Sequence, residues 1–421
     1  MDRRLFLSQV GIVAAAPLLT NTAAAAGVAP VALDLGKWVP RSRLQIEALI
    51  ARHNKHSASY QAERRPYVVF DWDNTAIMND TEEALFMYQI NKLAFKMTPA
   101  EFSAVIRKGV PTGAFADDYK NVDGQPVTLD AIAVDLDASY AYLYNNYRGM
   151  KGAKSLEEIS ASDSFIDFRA KLYFLYEAIN DTHGPDIGYP WVIYFFANMT
   201  RAEVAALAEE SNDYALSDAV QKHKLTSAKS LPGKAGVIGI SYNRGLRLTP
   251  EIAGLMDAFR QGGIEVYVST ASLDDVVRVF AGLPKYGYNV PPENVIGLRL
   301  EMAGDVYKAE YRKNWPLNWG PGKSLTIRSE LIARKGYGPI FVAGDSDGDY
   351  DMLRDFPETE LGLLVNRLKK GKMGSLCKLA ADQLAGPKPR YVLQGRHEST
   401  GQWQPREETL KLGKTEQKLL A

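Results

Sequence analysis

The 421-residue chain contains a single cysteine, Cys377. An intramolecular disulfide is therefore impossible, and a thiolate-rich metal centre is excluded. Histidine is scarce as well: His53, His56, His183, His223 and His397 show no zinc-ligand spacing. His53 and His56 can share a helix face but have no third ligand nearby, so any bound metal must be held by oxygen. Net charge is absent too, with 50 basic residues against 50 acidic ones. That balance provides no electrostatic footprint for nucleic acid or an anionic membrane surface. Long apolar runs are missing, since the stretch over residues 10–19 falls well short of the ~20 residues of a spanning helix. Repeats and low-complexity tracts are also lacking. The expected partner is a small molecule, and nothing in the sequence specifies an oligomeric state.

What the chain does have begins at its N-terminus. Arg3-Arg4-Leu5-Phe6-Leu7 precedes the short apolar run, and Ala23, Ala24, Ala25 and Ala26 precede Gly27. This resembles a twin-arginine export signal with small-residue cleavage. Residues 1–26 are expected to be removed, leaving a periplasmic or secreted protein with no stable membrane insertion.

The stretch around which the remainder is organised is Tyr67-Val68-Val69-Phe70-Asp71-Trp72-Asp73-Asn74-Thr75. Four β-branched or aromatic residues predict a buried strand, and the chain then stops at two aspartates flanking one residue. Ligands of open α/β sheets bind beyond the carboxyl ends of strands. There, an Asp-x-Asp pair can place one carboxylate as nucleophile and the next as acid/base. A plain Asx turn after a strand would read the same way locally, so the rest of the chain decides.

Length alone suggests two or three domains. Residues 40–54 have the apolar spacing of an amphipathic helix that packs on a sheet. Residues 76–246 show helical periodicity throughout and almost no clean strand pattern, with Thr200 placed to cap a helix. An α/β rhythm resumes at Thr249-Pro250-Glu251, followed by a strand over 264–269 that ends in Ser269-Thr270. A further strand over 294–301 leads into a hairpin near Gly304-Asp305. Gly320-Pro321-Gly322-Lys323 then opens a helix ending near Gly336. The strand over 339–343 stops at Gly344-Asp345-Ser346-Asp347-Gly348-Asp349, and a last strand over 360–365 precedes a polar tail. The expected fold is α/β: a Rossmann-like core with a central parallel sheet (27–75 and 247–421), carrying a large helical cap (76–246) after the first catalytic strand.

Four sites thus follow in order, each supplying a part that phosphoryl transfer needs. Asp71 would attack phosphorus, and Asp73 would protonate the leaving oxygen and then deprotonate water. Ser269 would donate to a phosphoryl oxygen, and Lys323 sits at a helix N-terminus suited to phosphate. Asp345 and Asp349, with Asp71, form a hard oxygen set for Mg²⁺. Several carboxylates facing a phosphate repel by about 1–4 kcal/mol per pair, which a divalent cation and Lys323 would offset.

Asp71-Trp72-Asp73-Asn74-Thr75, the strand ending at Ser269, Lys323 after its glycines, and Gly344-Asp345-Ser346-Asp347-Gly348-Asp349 resemble the four motifs of the haloacid dehalogenase-like phosphatases, in the phosphoserine phosphatase-like branch. The resemblance spans residues 67–365. It implies an aspartyl-phosphate intermediate and a magnesium ion bound by Asp71, Asp345 and the Asp73 backbone carbonyl, with Asp349 supporting. It further implies phosphate contacts from Thr75, Ser269 and Lys323. Strand alternation lets only one of Ser269 and Thr270 face the site, and the family spacing favours Ser269. Asp347 and Asp351 are alternatives to Asp349.

Specificity is expected in the cap. Glu82 and Glu83 follow the catalytic strand, and two aromatic clusters stand out: Tyr140, Tyr142, Tyr144 and Tyr147, and Tyr189, Trp191, Tyr194, Phe195 and Phe196. Aromatic faces with a carboxylate can bind a quaternary ammonium, although helical spacing and size fit cap core equally well. Lys369 and Lys370 read as solvated surface. With its export signal, paired glutamates and aromatic cap, the chain resembles the bacterial phosphorylcholine phosphatases. The substrate this implies is phosphocholine or a similar small phosphoester; a broad phosphomonoesterase, a phosphoserine phosphatase and a non-catalytic binding protein are the alternatives.

Overall fold

The computed structural model describes residues 32–34, 36–384 and 386–421; the leader expected over residues 1–26 lies outside them. Among the described residues no helix is long and apolar enough to cross a membrane.

The core is a parallel sheet. Its strands run, in spatial order, Val295–Leu298, Glu265–Leu273, Tyr67–Phe70, Phe341–Gly344, Leu361–Asn366 and Tyr391–His397. Tyr67–Phe70 is fully buried because helices cover both faces, as parallel sheets require. Val68 and Phe70 point into one apolar layer, and Tyr67 and Val69 into the other. Pro40–His53 packs with Ile46, Leu49 and Ile50 in the first of these layers. The order places the first strand in the middle of the sheet, so its C-terminal end is flanked by the ends of Glu265–Leu273 and Phe341–Gly344.

After the first strand the chain leaves the sheet and returns beside itself, where Ile77 pairs with Leu248 and Met78 with Arg247. Between these short strands lie mainly helices, among them Thr81–Lys92, Leu129–Asn146, Asp163–His183, Pro185–Ile193 and Arg201–Ser217. Thr200 caps the last of these through a reciprocal bond with Glu203, satisfying backbone N–H groups that a helix start leaves free. These helices share an aromatic core in which Phe102 stacks on Tyr140 at 3.9 Å and Trp191 meets Phe195 edge-on at 4.9 Å. Tyr140, Trp191 and Phe195 are therefore packing residues.

Two features depart from the sequence reading. Gln221–Thr226 and Gly239–Arg244 form an antiparallel hairpin within the helical stretch. Its first strand is polar and mostly exposed, so it carries no apolar alternation to detect. The tail is not merely a polar extension after the last strand, because Tyr391–His397 joins the sheet in parallel and is almost wholly buried. Its Gln394 bonds the backbone at Val39, Lys37 and Gln404, which offsets the cost of burying an amide.

Candidate active site

Trp72 explains how the aspartates are presented. Its ring is buried against Phe280 and Tyr288 and its indole N–H bonds Thr81, so the side chains on either side turn towards the strand end. The turn continues through Asn74, which adopts a left-handed backbone conformation (φ 64°) that asparagine tolerates well.

Asp71 lies 2.5 Å from the Lys323 ammonium, which also bonds Asp349 at 2.7 Å and the Ser269 carbonyl at 2.9 Å. All three ammonium donors are thereby used. Burial opposes the charge of Lys323, but Asp349 and then Asp71 outweigh it and hold the lysine protonated. Lys323 is placed by Pro321–Thr326, where a side chain at Gly322 would strike the Leu317 carbonyl. The Thr75 hydroxyl lies 2.7 Å from Asp71 and 3.0 Å from Asp345, while Arg367 bonds the other oxygen of Asp345 at 2.6 Å. Despite its burial, Arg367 keeps Asp345 below the ordinary carboxylate range. Asp349 accepts from the backbone N–H groups of Asp345 and Ser346, which fixes the turn after the strand.

Oxygens of Asp71, Asp345 and Asp349 lie within 4.8 Å of one another, and all three residues are buried. Burial, followed by the Asp349 carboxylate, pushes Asp71 well above its usual range. Hard donors so crowded fit a divalent cation bound by oxygen, whose charge would keep Asp71 ionised.

Asp73 points elsewhere. It accepts from the Thr81 N–H at 2.7 Å, from Ser272 at 2.7 Å and from Thr270 at 3.3 Å. Burial raises its pKa, so this carboxyl holds a proton more readily than an exposed aspartate. Its side chain thus stands outside the carboxylate cluster. Ser269 lies beneath the site, its hydroxyl 3.1 Å from the Asn318 amide nitrogen, while Ala271 and Ser272 line the cavity above.

That cavity, about 240 Å³, brings Asp71, Asp73, Lys323 and Asp345 together with Glu82 and Glu83. Thr75 and Asp349 support its wall from behind. Glu82 is anchored by the Leu273 N–H at 3.0 Å, and burial raises its pKa to about 8. Glu83 is raised by burial and then by Asp80. Tyr189 lines the cavity beside these glutamates, but the other aromatics named from sequence do not; Tyr176 from Asp163–His183 stands there instead. The opposite side carries Arg367 and Lys369, so Lys369 borders the cavity in addition to facing solvent.

Ser272, Tyr176, Arg367 and Arg396 carry no local signal that marks them in the sequence. Arg396, from the strand Tyr391–His397, is buried and donates to the Asn74 carbonyl at 3.1 Å and to its side-chain oxygen at 3.3 Å. It also lies 3.3 Å from Glu398. Arg396→Met would leave Glu398 and the Asn74 carbonyl short of partners. The expected result is a loss of about 1–3 kcal/mol of stability and a roughly tenfold lower kcat, read by urea unfolding and steady-state kinetics. Arg396→Lys should restore more stability than kcat, because an ammonium cannot reproduce the two-nitrogen grip.

The haloacid dehalogenase-like hydrolase family model matches residues 234–354, which include Ser269, Lys323, Asp345 and Asp349. A phosphorylcholine phosphatase from Pseudomonas aeruginosa is 28% identical over 387 residues, covering 86% of this chain and 88% of that protein. A solved structure of a conserved protein of unknown function from Anaerococcus prevotii is 32% identical, with a TM-score of 0.85, and covers 91% of this chain and 99% of the other.

Proposed function

The chain belongs to the haloacid dehalogenase-like hydrolases, and from that premise we propose that it is an exported, metal-dependent phosphomonoester phosphatase acting on phosphocholine or a similar small phosphoester. In this reading residues 76–246 are the cap that selects the substrate and residues 27–75 and 247–421 are the core that performs the chemistry.

One Asp71 oxygen attacks phosphorus while the ester oxygen leaves with the proton of Asp73, giving an aspartyl-phosphate and free alcohol. Asp73, now ionised, takes a proton from water as that water attacks the same phosphorus. The bond to Asp71 breaks and inorganic phosphate departs. Lys323 neutralises Asp71 and stays charged throughout, while Arg367 and Lys369 offer positive charge to the phosphoryl oxygens. Ser272, Thr270 and the Thr81 N–H hold the Asp73 carboxyl in one orientation. A divalent cation such as Mg²⁺ held by Asp71, Asp345 and Asp349, with the Asp73 carbonyl, would supply charge stabilisation to the transferring phosphoryl group.

The observation that carries the substrate class is the two-ended character of the cavity. Lys323, Arg367 and Lys369 gather at the core, whereas Asp80, Glu82, Glu83, Tyr176 and Tyr189 gather on the cap side. A small molecule with a phosphate at one end and a cation at the other matches both. Each aromatic face is worth ~0.5–2 kcal/mol to a quaternary ammonium. Tyr176→Ala is therefore expected to lower kcat/KM for phosphocholine by about 2- to 30-fold, and Glu82→Gln by a similar factor. Turnover of p-nitrophenyl phosphate, which has no cation, should stay within about twofold in both variants. Equal losses on the two esters would remove the cation cage from the account.

A further inference from the structure

Ala271 and Ser272 face the catalytic cavity, but the next three residues border a second one. This cavity, about 430 Å³, is walled by Leu273, Asp274 and Asp275, by Arg299, by the hairpin Leu300–Ala303 and Val306–Tyr311, and by Arg201 at the start of Arg201–Ser217. Its carboxylates are already occupied. Asp274 accepts from Arg278 at 2.9 Å and from Arg299 Nε at 2.7 Å. Asp275 accepts from Arg278 at 2.6 Å and from the Tyr307 hydroxyl at 2.5 Å, with Arg201 Nε 3.1 Å away. Glu301 accepts from the Lys313 N–H.

The arginines, by contrast, have donors to spare. Among the described residues, neither terminal nitrogen of Arg299 and no side-chain nitrogen of Arg312 donates a hydrogen bond to protein, and Arg201, which reaches Asp275 and Tyr307, has its Nη2 on the Met302 sulfur. Arg299 is held rigidly, its guanidinium 3.7 Å from the centre of the Trp315 ring, whose N–H is tied to the Gly297 carbonyl. Arg312 lies 5.8 Å from the same ring. A guanidinium fork fixed in this way, with its end nitrogens open, matches the geometry of a tetrahedral oxyanion, and Arg312 and Arg201 add charge from the same wall. Leu273, Leu300 and Met302 add apolar wall for a short organic group.

We propose that this cavity is a second, non-catalytic binding site for inorganic phosphate or a small phosphate monoester, gripped by Arg299, Arg312 and Arg201. The test is calorimetric titration of the mature protein with inorganic phosphate and, in a parallel arm, with methylphosphonate, which mimics an ester without being hydrolysed. The wild type should bind two phosphates per chain and Arg299→Gln/Arg312→Gln only one. Tighter binding of methylphosphonate assigns the site to an ester, and tighter binding of phosphate to the free ion. Arg312→Gln alone removes no hydrogen bond and should keep the fold. It should weaken the second event at least fivefold and leave turnover without added phosphate unchanged. One phosphate per wild-type chain, or a second event untouched by both variants, would overturn the proposal. Either result would leave the catalytic reading standing, since that rests on other residues.

Discussion

Asp71→Asn is expected to lower kcat by about 10⁴-fold or more while leaving the protein folded. Loss of a nucleophile that forms a covalent intermediate removes the reaction path itself rather than one stabilising contact. The amide is nearly isosteric, and its oxygen still accepts from Lys323. In the wild type a single Thr75 hydroxyl proton faces both Asp71 and Asp345. In the variant, the new amide N–H can donate to Thr75, which then donates to Asp345 alone. One buried charge also disappears from a site where burial and Asp349 already raise the Asp71 pKa. The melting temperature should therefore be equal or higher. Thermal unfolding and single-turnover kinetics check both parts, and wild-type turnover by the variant would eliminate the aspartyl-phosphate route.

Lys323→Met should damage both stability and activity. The ammonium is buried and is shared by Asp71, Asp349 and the Ser269 carbonyl. Methionine preserves much of the volume but leaves two buried carboxylates and a carbonyl without their cation. Breaking a buried ion pair from one side costs about 3–5 kcal/mol, and kcat should fall by about 10³-fold, the scale of losing one charge-stabilising donor. The pH dependence provides a check on the cause. Without Lys323 the Asp71 carboxyl, already raised by burial, holds its proton more tightly when folded than when unfolded. The native state then binds the extra proton, and stability falls as pH rises through the interval between those two values. The deficit in urea unfolding should thus be larger at pH 8 than at pH 5. A pH-independent loss would indicate a packing defect instead.

The parts of the site that sequence made legible are those written in consecutive residues. A β-branched strand running into Asp71-Trp72-Asp73, and a strand stopping at Gly344-Asp345, announce both a position in a sheet and a chemistry. Lys323 was legible because glycines and proline mark the helix start that carries it. The remainder depends on contacts across long separations. Arg396 meets Asn74 across 322 residues, and nothing near either position in the chain predicts the pairing. Ser272 reaches Asp73 because the strand Glu265–Leu273 continues beyond Ser269 with an irregular register. Tyr176 belongs to a helix buried on most of its faces, so periodicity cannot say which residue turns to the cavity. The strand Tyr391–His397 was hidden by Gln394, Gly395 and Arg396, polar or small residues whose burial makes sense only once their partners are known.

The most direct test of the central claim is kcat/KM of the mature protein for phosphocholine, phosphoethanolamine, phosphoserine and p-nitrophenyl phosphate, with Mg²⁺ and again with a chelator. Hydrolysis is expected to be lost on chelation and to prefer phosphocholine by about a hundredfold, equivalent to ~2.7 kcal/mol of differential transition-state binding. A flat profile would retain the phosphatase and contradict the cation-binding cap. Absence of metal-dependent turnover on every ester would contradict the hydrolase itself.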